Sequence, residues 1–188
     1  MYKAWAHISS PDLVQWESHP HAIERGQTGN MFLFNGTPTI IFPHPDGGGA
    51  SCFASNPDSD LVEWEFKPGD PVLRHPVQGP GLYPDNNDVT AWQEGLWAYA
   101  LTGSRDDPGS GDTQHLFRSH DLAEWEYVDR FYESKRKWTG AKDDCSCPAF
   151  FRLGSKWMLL HFCHHVPSGS RYYLGRYENH RFSPETFD

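Results

Sequence analysis

Carboxylates placed just before apolar, strand-forming runs are the residues of this chain with the clearest chemical potential. Four aspartates stand in such positions: Asp85, Asp88, Asp143 and Asp144. Two carboxyl groups brought close together can act as nucleophile and general acid/base, which is what retaining glycoside hydrolysis requires. Burial beside another carboxylate raises the pKa of an acid and so suits it to donate a proton. We therefore predict catalytic roles for Asp88, Asp144 and Asp143, with Asp144 or Asp143 as the donor; the alternative is that these two are solvated loop residues.

A metal site is the competing chemistry. The possible ligands that lie near one another in sequence are Cys145, Cys147, Asp144, His161, Cys163 and His165. Alternation along a strand would place His161, Cys163 and His165 on one face, and such donors suit zinc or iron. The spacing matches no standard zinc pattern, so we predict no metal and no cofactor. In that case His164 or His165 would line the site and hydrogen-bond substrate hydroxyls.

The elements that must position these residues are repeated along the chain. The pattern Asp-Leu-x-x-Trp-Glu occurs at 12–17, 60–65 and 121–126, each time shortly after a serine. The tryptophans are about 48 and 61 residues apart, which is typical of large repeat units. We predict that the aspartate forms a turn and that the tryptophan fills the wedge between neighbouring sheets. The repeat is thus assigned to the scaffold.

Glycine turns between apolar, aromatic-rich runs form a second repeat. Gly36, Gly95 and Gly154 each separate two such runs and are evenly spaced, which predicts three β-hairpins. Asp88 lies seven residues before Gly95, at the level of Cys147 before Gly154. About four strands per unit, repeated radially, indicate a β-propeller, whose innermost strands converge on its axis. The predicted fold class is therefore all-β, a partial propeller of about three blades.

Composition narrows the functional classes. The 188 residues carry a net charge of −9 and 15% aromatic residues, and no long basic cluster occurs. Nucleic acid and anionic membranes are therefore not expected as partners. There is no apolar run long enough for a transmembrane helix and no signal-peptide core at the first residues, so the sequence gives no localisation.

Three segments of the chain resemble glycoside hydrolase family 32, the invertase, levanase and fructan hydrolase enzymes. Residues 5–17 are similar to its tryptophan-glycine-histidine, serine, aspartate-leucine-valine-x-tryptophan segment. Residues 147–160 resemble its glutamate-cysteine-proline segment, and residues 87–92 stand where the family carries arginine-aspartate-proline. The resemblance covers nearly the whole chain in the right order.

The resemblance implies a five-bladed propeller, usually followed by a β-sandwich, that acts on β-fructofuranosides with retention. In that family a nucleophilic aspartate, a stabilising aspartate and a general acid/base glutamate meet in the axial funnel. Asp88 matches the stabilising aspartate, but Asn87 stands where arginine precedes it. Ser146 occupies the position of the glutamate, and a serine hydroxyl cannot deliver a proton near neutral pH. The nucleophile motif would precede Met1.

The resulting expectation is a β-fructofuranosidase-like hydrolase with a carbohydrate substrate. Residues 1–188 are expected to be part of a propeller catalytic domain truncated at both ends, and this portion alone to lack the nucleophile. Expected substrate contacts come from Asn87, His7, Trp92 and His164, although packing is the other interpretation of His7 and Trp92. The alternatives are an inverting propeller glycosidase of the arabinanase and xylosidase type, and a non-catalytic sugar-binding propeller.

Overall fold

Antiparallel β-sheets make up the regular structure of the protein. The computed structural model describes residues 3–26, 28–43, 50–55, 61–66, 73–74, 88–105, 112–132, 143, 145–164 and 167–187. Within these ranges the chain forms fifteen strands and no helix. Accordingly, no helix that could cross a membrane is found in the described part of the chain. The all-β prediction is confirmed.

The first two sheets contain the N-terminal strands. Strands β1 (Trp5–Ser9) and β2 (Glu17–Ile23) form a two-stranded sheet. The second sheet runs in the order β3 (Asn30–Phe34), β4 (Thr37–Pro43), β5 (Ala50–Ser55) and β6 (Glu65–Phe66). A further short strand, β7 (Leu73–Arg74), also pairs with β5.

Two four-stranded sheets follow, each a simple meander. The third sheet consists of β8 (Val89–Glu94), β9 (Trp97–Arg105), β10 (Asp112–Ser119) and β11 (Glu126–Arg130). The fourth consists of β12 (Ser146–Leu153), β13 (Lys156–Cys163), β14 (Gly169–Glu178) and β15 (Arg181–Phe187). The prediction of about four strands per repeat is confirmed.

In the second, third and fourth sheets, the first two strands form a tight hairpin at the predicted glycine. Asn35 and Gly36 connect β3 to β4 with φ angles of 51° and 82°. Positive φ at both turn positions matches the right-handed twist of the flanking strands. Gly95 and Gly154 occupy the corresponding turns of the next two sheets, also at positive φ.

Hydrophobic clusters fill the spaces between consecutive sheets, as expected for the blades of a propeller. Ile23 of the first sheet packs with Ile40 and Phe42 of the second. The second sheet meets the third through a cluster of Phe32, Phe34, Ile41, Val89, Ala91, Ala98, Ala100, Phe117 and Leu122. The third meets the fourth through Tyr99, Leu101, Leu116, Phe131, Tyr132, Cys145, Leu159, Tyr173 and Phe182.

Side-chain amides connect the first strands of neighbouring blades. The Asn30 side chain donates to the Ala91 carbonyl at 2.9 Å and accepts from the Ala91 N–H at 2.8 Å. Farther along the same two strands, the Gln93 amide donates to Asn35 Oδ1 at 2.9 Å and accepts from the Asn35 N–H at 2.8 Å. Strands β3 and β8 therefore run side by side in the same direction.

Loss of the Asn30 amide is expected to loosen this junction. Asn30→Ala leaves both backbone groups of Ala91 without these partners, and we expect a loss of about 1–3 kcal/mol in the free energy of unfolding. Asn30→Asp, which can still accept from the Ala91 N–H but cannot donate, should lose less. Denaturant titration of the three proteins measures the order, and equal stability of all three would contradict it.

The repeated Asp-Leu-x-x-Trp-Glu segment forms the turn between the third and fourth strands of a blade. In the third copy, Asp121 Oδ1 accepts the N–H groups of Ala123 and Glu124, at 2.8 and 2.9 Å. The Ser119 hydroxyl accepts the Leu122 N–H at 2.9 Å. Asp12 and Ser10 repeat this pattern in the first copy. The predicted turn-forming role of the aspartate is confirmed for these two copies.

The leucine of the motif adopts a left-handed backbone conformation in every copy. The φ angles of Leu13, Leu61 and Leu122 are 63°, 60° and 66°. Such angles are unfavourable for a leucine, and the capping side chains and tryptophan compensate for them. Trp64 and Trp125 donate their indole N–H groups to the leucine carbonyls, at 2.9 and 3.2 Å.

The apolar side chains of the motif differ in exposure between copies. Leu122 is 2% exposed in the cluster between the second and third sheets, and Trp125 packs against that cluster. Leu13 is 77% exposed and Trp16 is 54% exposed. The wedge-filling prediction therefore holds for Trp125 and, against the cluster around Ile40, for Trp64. For Trp16 it does not, because within the described ranges no sheet covers that face of β1 and β2.

Removal of the Asp121 carboxylate is expected to weaken the third copy of the turn. Hydrogen bonds from the Glu124 and Ala123 N–H groups lower the pKa of Asp121, so the ionised side chain is the one that stabilises the turn. Asp121→Ala should lower the free energy of unfolding by about 1 kcal/mol, as loss of a helix cap does. The exposed neighbour Glu124 provides the matched control: Glu124→Ala should change it by less than about 0.5 kcal/mol. Equal effects in denaturant titrations would contradict the assignment.

Candidate active site

The starts of the first strands of three blades lie at one end of the sheet array. Strand β8 packs against β3 on one side and β12 on the other. Asn30 begins β3, Asp88 immediately precedes β8, and Ser146 begins β12. Asp88 is half-buried, and its carbonyl accepts the Gly103 N–H at 3.4 Å. The predicted catalytic residue Asp88 and the serine at the family's glutamate position, Ser146, are therefore carried by adjacent strands.

A shallow, open depression lies beside the start of β3. Its volume is about 310 Å³, and it is lined by Lys3, Ala4, Trp5, Ala6, Gly26, Thr28 and Gly29. Gly29 immediately precedes Asn30, so the depression lies next to the end of the array that carries Asp88. An indole, a hydroxyl and an ammonium group are the lining chemistry suited to a small polar ligand.

Asp143 lies in a closed, fully buried arrangement. Its Oδ2 accepts a hydrogen bond from Arg171 Nη1 at 2.5 Å, and its Oδ1 accepts the Cys145 N–H at 3.0 Å. His161 Nδ1 lies 3.7 Å from Oδ1. The side chains of Asp143 and His161 have no exposed surface, and that of Arg171 is 12% exposed.

These contacts argue against Asp143 as a proton donor. The Arg171 guanidinium and the Cys145 N–H already occupy the two oxygens of this carboxylate. A donor must also reach the leaving-group oxygen, and the Asp143 side chain is closed off from solvent. Asp144 and Asn87 lie outside the described residues.

Ser146 stands at the start of an irregular stretch of β12. It is buried and pairs with Phe162, and the register shifts between Ser146 and Ala149. Cys145 and Cys147 on either side have φ angles of 47° and 49°. This bulged backbone re-aims side chains at the start of the strand, a common device next to active sites.

His7 lies on β1 beside a second histidine. The rings of His7 and His19 are 4.6 Å apart, and His19 Nε2 is 2.6 Å from the Ser9 hydroxyl. His7 Nδ1 is buried without a hydrogen-bond partner among the described residues. Burial, and then the charge of His19, lowers the pKa of His7 below the ordinary 6.5. The ring is therefore neutral at pH 7.

The lowered pKa of His7 predicts a loss of stability in mild acid. In the unfolded chain His7 binds a proton near pH 6.5, whereas in the folded chain it does so only at lower pH. The contribution of neutral His7 to the free energy of unfolding is therefore complete above pH 6.5 and is lost as the pH falls through the pKa of the folded state. An NMR titration of the imidazole should give a pKa below 6.5. His7→Gln should make the unfolding free energy less dependent on pH between about 5 and 7. A titration above the ordinary value would contradict the assignment.

Trp92 packs inside the aromatic cluster between the third and fourth sheets. Its ring stacks on Tyr99 at 5.7 Å and contacts Phe150 at 5.4 Å and Phe131 at 6.4 Å. This surrounding favours the packing interpretation over a sugar contact. His164 lies at the exposed end of β13 with its ring edge-on to Phe162 at 4.9 Å, where contact with a ligand remains a prediction.

Arg171 is the residue of this region that the sequence analysis missed. It begins an aromatic stretch of β14 and reaches Asp143, 28 residues earlier. A second guanidinium nitrogen donates to the Pro167 carbonyl at 2.5 Å. The sequence feature that could have indicated it is an arginine next to the aromatic run of β14. A charged side chain that is largely buried needs a partner of opposite charge.

Comparisons with known proteins find one family that matches nearly the whole chain. The sequence profile described as "Glycosyl hydrolases family 32 N-terminal domain" matches residues 2–188. The sucrose-6-phosphate hydrolase of Klebsiella pneumoniae is 30% identical over 142 residues, which cover 68% of this chain and 28% of that protein. The chain spans about a third or less of the length of the first three curated relatives.

Solved structures show the same fold. The fructan 1-exohydrolase IIa of Cichorium intybus superposes with a TM-score of 0.76 at 20% identity, over 97% of this chain and 38% of that one. A variant of that enzyme, solved in complex with 1-kestose, gives a TM-score of 0.74 at 19% identity with the same coverage. A thermostable family-43 glycoside hydrolase gives 0.65 at 13% identity, over 98% and 65%. These likenesses confirm the propeller fold.

Proposed function

The chain belongs to glycosyl hydrolase family 32, whose N-terminal domain it matches over residues 2–188, and we propose that it hydrolyses the O-glycosidic bonds of β-fructofuranosides. The observation that carries this proposal is Asp88 at the start of β8, between the blades that carry β3 and β12. Residues 1–188 would then lie within a propeller catalytic domain. Sucrose-type and fructan-type sugars are the substrate class.

Asp88 is assigned to the stabilisation of positive charge on the sugar ring. The transition state of glycoside hydrolysis resembles an oxocarbenium ion, and a fixed carboxylate in a partly buried site stabilises it strongly. Half-burial at a strand start gives Asp88 that position while keeping it accessible. In this role Asp88 neither donates nor accepts a proton during the reaction.

The proton donor is assigned to Asp144, since Ser146 stands at the position where the family has glutamate. Asp143 is held by Arg171 in a closed ion pair, which leaves its neighbour as the acid of this segment. The register of β12 shifts between Ser146 and Ala149, and irregularities of this kind re-aim side chains next to active sites.

The dependence of the rate on the leaving group tests this assignment. A glucose leaving group requires protonation, whereas a nitrophenolate does not. In the full-length protein, Asp144→Asn should slow sucrose hydrolysis by at least about 100-fold and leave kcat/KM for an aryl β-fructofuranoside, which reports the first step alone, nearly unchanged. Glu124→Gln at an outer turn is the matched control and should change neither. Equal rates on sucrose in the wild type and Asp144→Asn would remove Asp144 from the mechanism.

A non-catalytic sugar-binding propeller is the second candidate, and Ser146 is the observation that favours it. A buried serine in place of the acid/base would leave the binding funnel without its chemistry. In that case the full-length protein would bind 1-kestose without releasing fructose, and Ser146→Glu would introduce turnover.

A further inference from the structure

Three possible metal ligands converge at the buried junction between the start of β12 and the end of β13. One donor atom each from Asp143, Cys145 and His161 lies within 4.8 Å of the other two, and all three residues are buried. Asp143 Oδ1 and His161 Nδ1 are 3.7 Å apart, which is close to the spacing of two ligands around one small cation. We propose that Asp143, Cys145 and His161 bind a divalent transition metal, zinc above all.

The chemistry of the donors favours zinc. Thiolate, imidazole and carboxylate are the ligands that zinc uses in proteins, at 2.0 to 2.3 Å. A carboxylate has about four lone-pair positions, so Asp143 can keep Arg171 on Oδ2 while Oδ1 faces the metal. This arrangement gives the metal a carboxylate that is already oriented by a second hydrogen bond.

Neighbouring side chains support a thiolate at Cys145. The Tyr132 hydroxyl lies 3.1 Å from Cys145 Sγ and can donate to it. The Gln114 amide donates to the Cys145 carbonyl at 3.3 Å and fixes the backbone in its left-handed conformation. A thiol that binds a metal is deprotonated, and hydrogen bonds to its sulfur orient the ligand and adjust its basicity.

Cys163 is the candidate for the fourth ligand, and its Sγ would have to move closer, because it lies outside the group of three donor atoms that are within 4.8 Å of one another. Ser146 pairs with Phe162, so Cys145 and Cys163 are the next residues outward on the two chains. Alternation along β13 places Cys163 on the same face as His161, and it is 2% exposed. A second thiolate would also balance the charges. The two thiolates and the carboxylate would be negative, and the divalent metal and the Arg171 guanidinium would carry the equal positive charge.

The proposed metal would fasten the irregular start of β12. Cys145 and Cys147 have positive φ angles, and such backbone costs free energy unless its surroundings hold it. A metal that joins Asp143 and Cys145 to β13 would supply that constraint next to Ser146. The site is thus structural and independent of sugar chemistry.

Metal analysis of the full-length protein, expressed with zinc and dialysed, tests the proposal. We expect about one zinc per chain, and cobalt(II) in place of zinc should give the strong near-ultraviolet absorption of a thiolate–cobalt bond. Cys145→Ser should reduce bound zinc at least about tenfold. Cys147→Ser is the matched control, since Cys147 is exposed and lies two residues after Cys145, and it should keep the metal.

Measurements on the wild type keep the proposal falsifiable if Cys145→Ser fails to fold. Less than about a tenth of an equivalent of zinc, or a cobalt derivative without thiolate absorption, would overturn it. Cys163→Ser addresses the fourth position: tenfold weaker zinc binding supports that ligand, and unchanged binding removes it from the set. Fructose release plays no part in these readouts, so they stand apart from the proposed hydrolase activity.

Discussion

Asp88→Asn is expected to lower the rate of β-fructofuranoside hydrolysis by at least about 100-fold, because it removes a fixed charge that acts on the transition state. Asparagine keeps the size of the side chain at the start of β8 and the carbonyl that receives the Gly103 N–H. The fold should therefore persist. Initial rates of fructose release by the full-length protein measure the effect, and kcat should fall with little change in KM.

The control for Asp88 is a carboxylate on an outer strand. Asp129 of β11 is 60% exposed and lies 3.8 Å from Arg181, far along the sheet from β8. Asp129→Asn should leave kcat within about twofold of the wild type. A kcat of Asp88→Asn within that same range would remove Asp88 from the catalytic machinery.

Arg171→Leu is expected to destabilise the protein by about 3–5 kcal/mol, the cost of leaving a buried charge without its partner. The Asp143 carboxylate has no exposed surface, and it accepts hydrogen bonds from Arg171 and from the Cys145 N–H. Leucine keeps most of the apolar contact of the arginine stem but supplies no charge. Chemical unfolding, followed by tryptophan fluorescence, measures the loss.

The same strand supplies the matched control. Arg176 of β14 pairs with Glu185 at 3.0 Å, but its side chain is 69% exposed. Water already screens that pair, so Arg176→Leu should cost less than about 1 kcal/mol. Equal losses for the two variants would show that the Asp143–Arg171 pair contributes no more than a surface ion pair.

The sequence was sufficient to predict those structural features that depend on residues close together in the chain. The hairpins at Gly36, Gly95 and Gly154 follow from a glycine between two apolar runs, and the structure has all three. The turn at Asp121 depends on hydrogen bonds within a few residues. The repeat of these local signals was enough to indicate blades and hence the propeller.

Long-range contacts explain what the sequence did not reveal. Arg171 meets Asp143 across 28 residues, and Asn30 meets Ala91 across 61. No local pattern encodes either pair. Trp92 has the residue type of a sugar-stacking platform, yet the aromatic rings of a neighbouring blade pack against it. Residue type and local spacing alone therefore do not reveal whether a candidate side chain is packed away, as Trp92 is, or open to a ligand.

The central claim, that this propeller hydrolyses β-fructofuranosides, is tested most directly by incubating the full-length protein with 1-kestose and measuring both binding and free fructose. The predicted result is fructose release that is saturable in 1-kestose and is lost in Asp88→Asn. Saturable binding of 1-kestose with no fructose above the uncatalysed rate would contradict the claim and would identify a sugar-binding propeller instead.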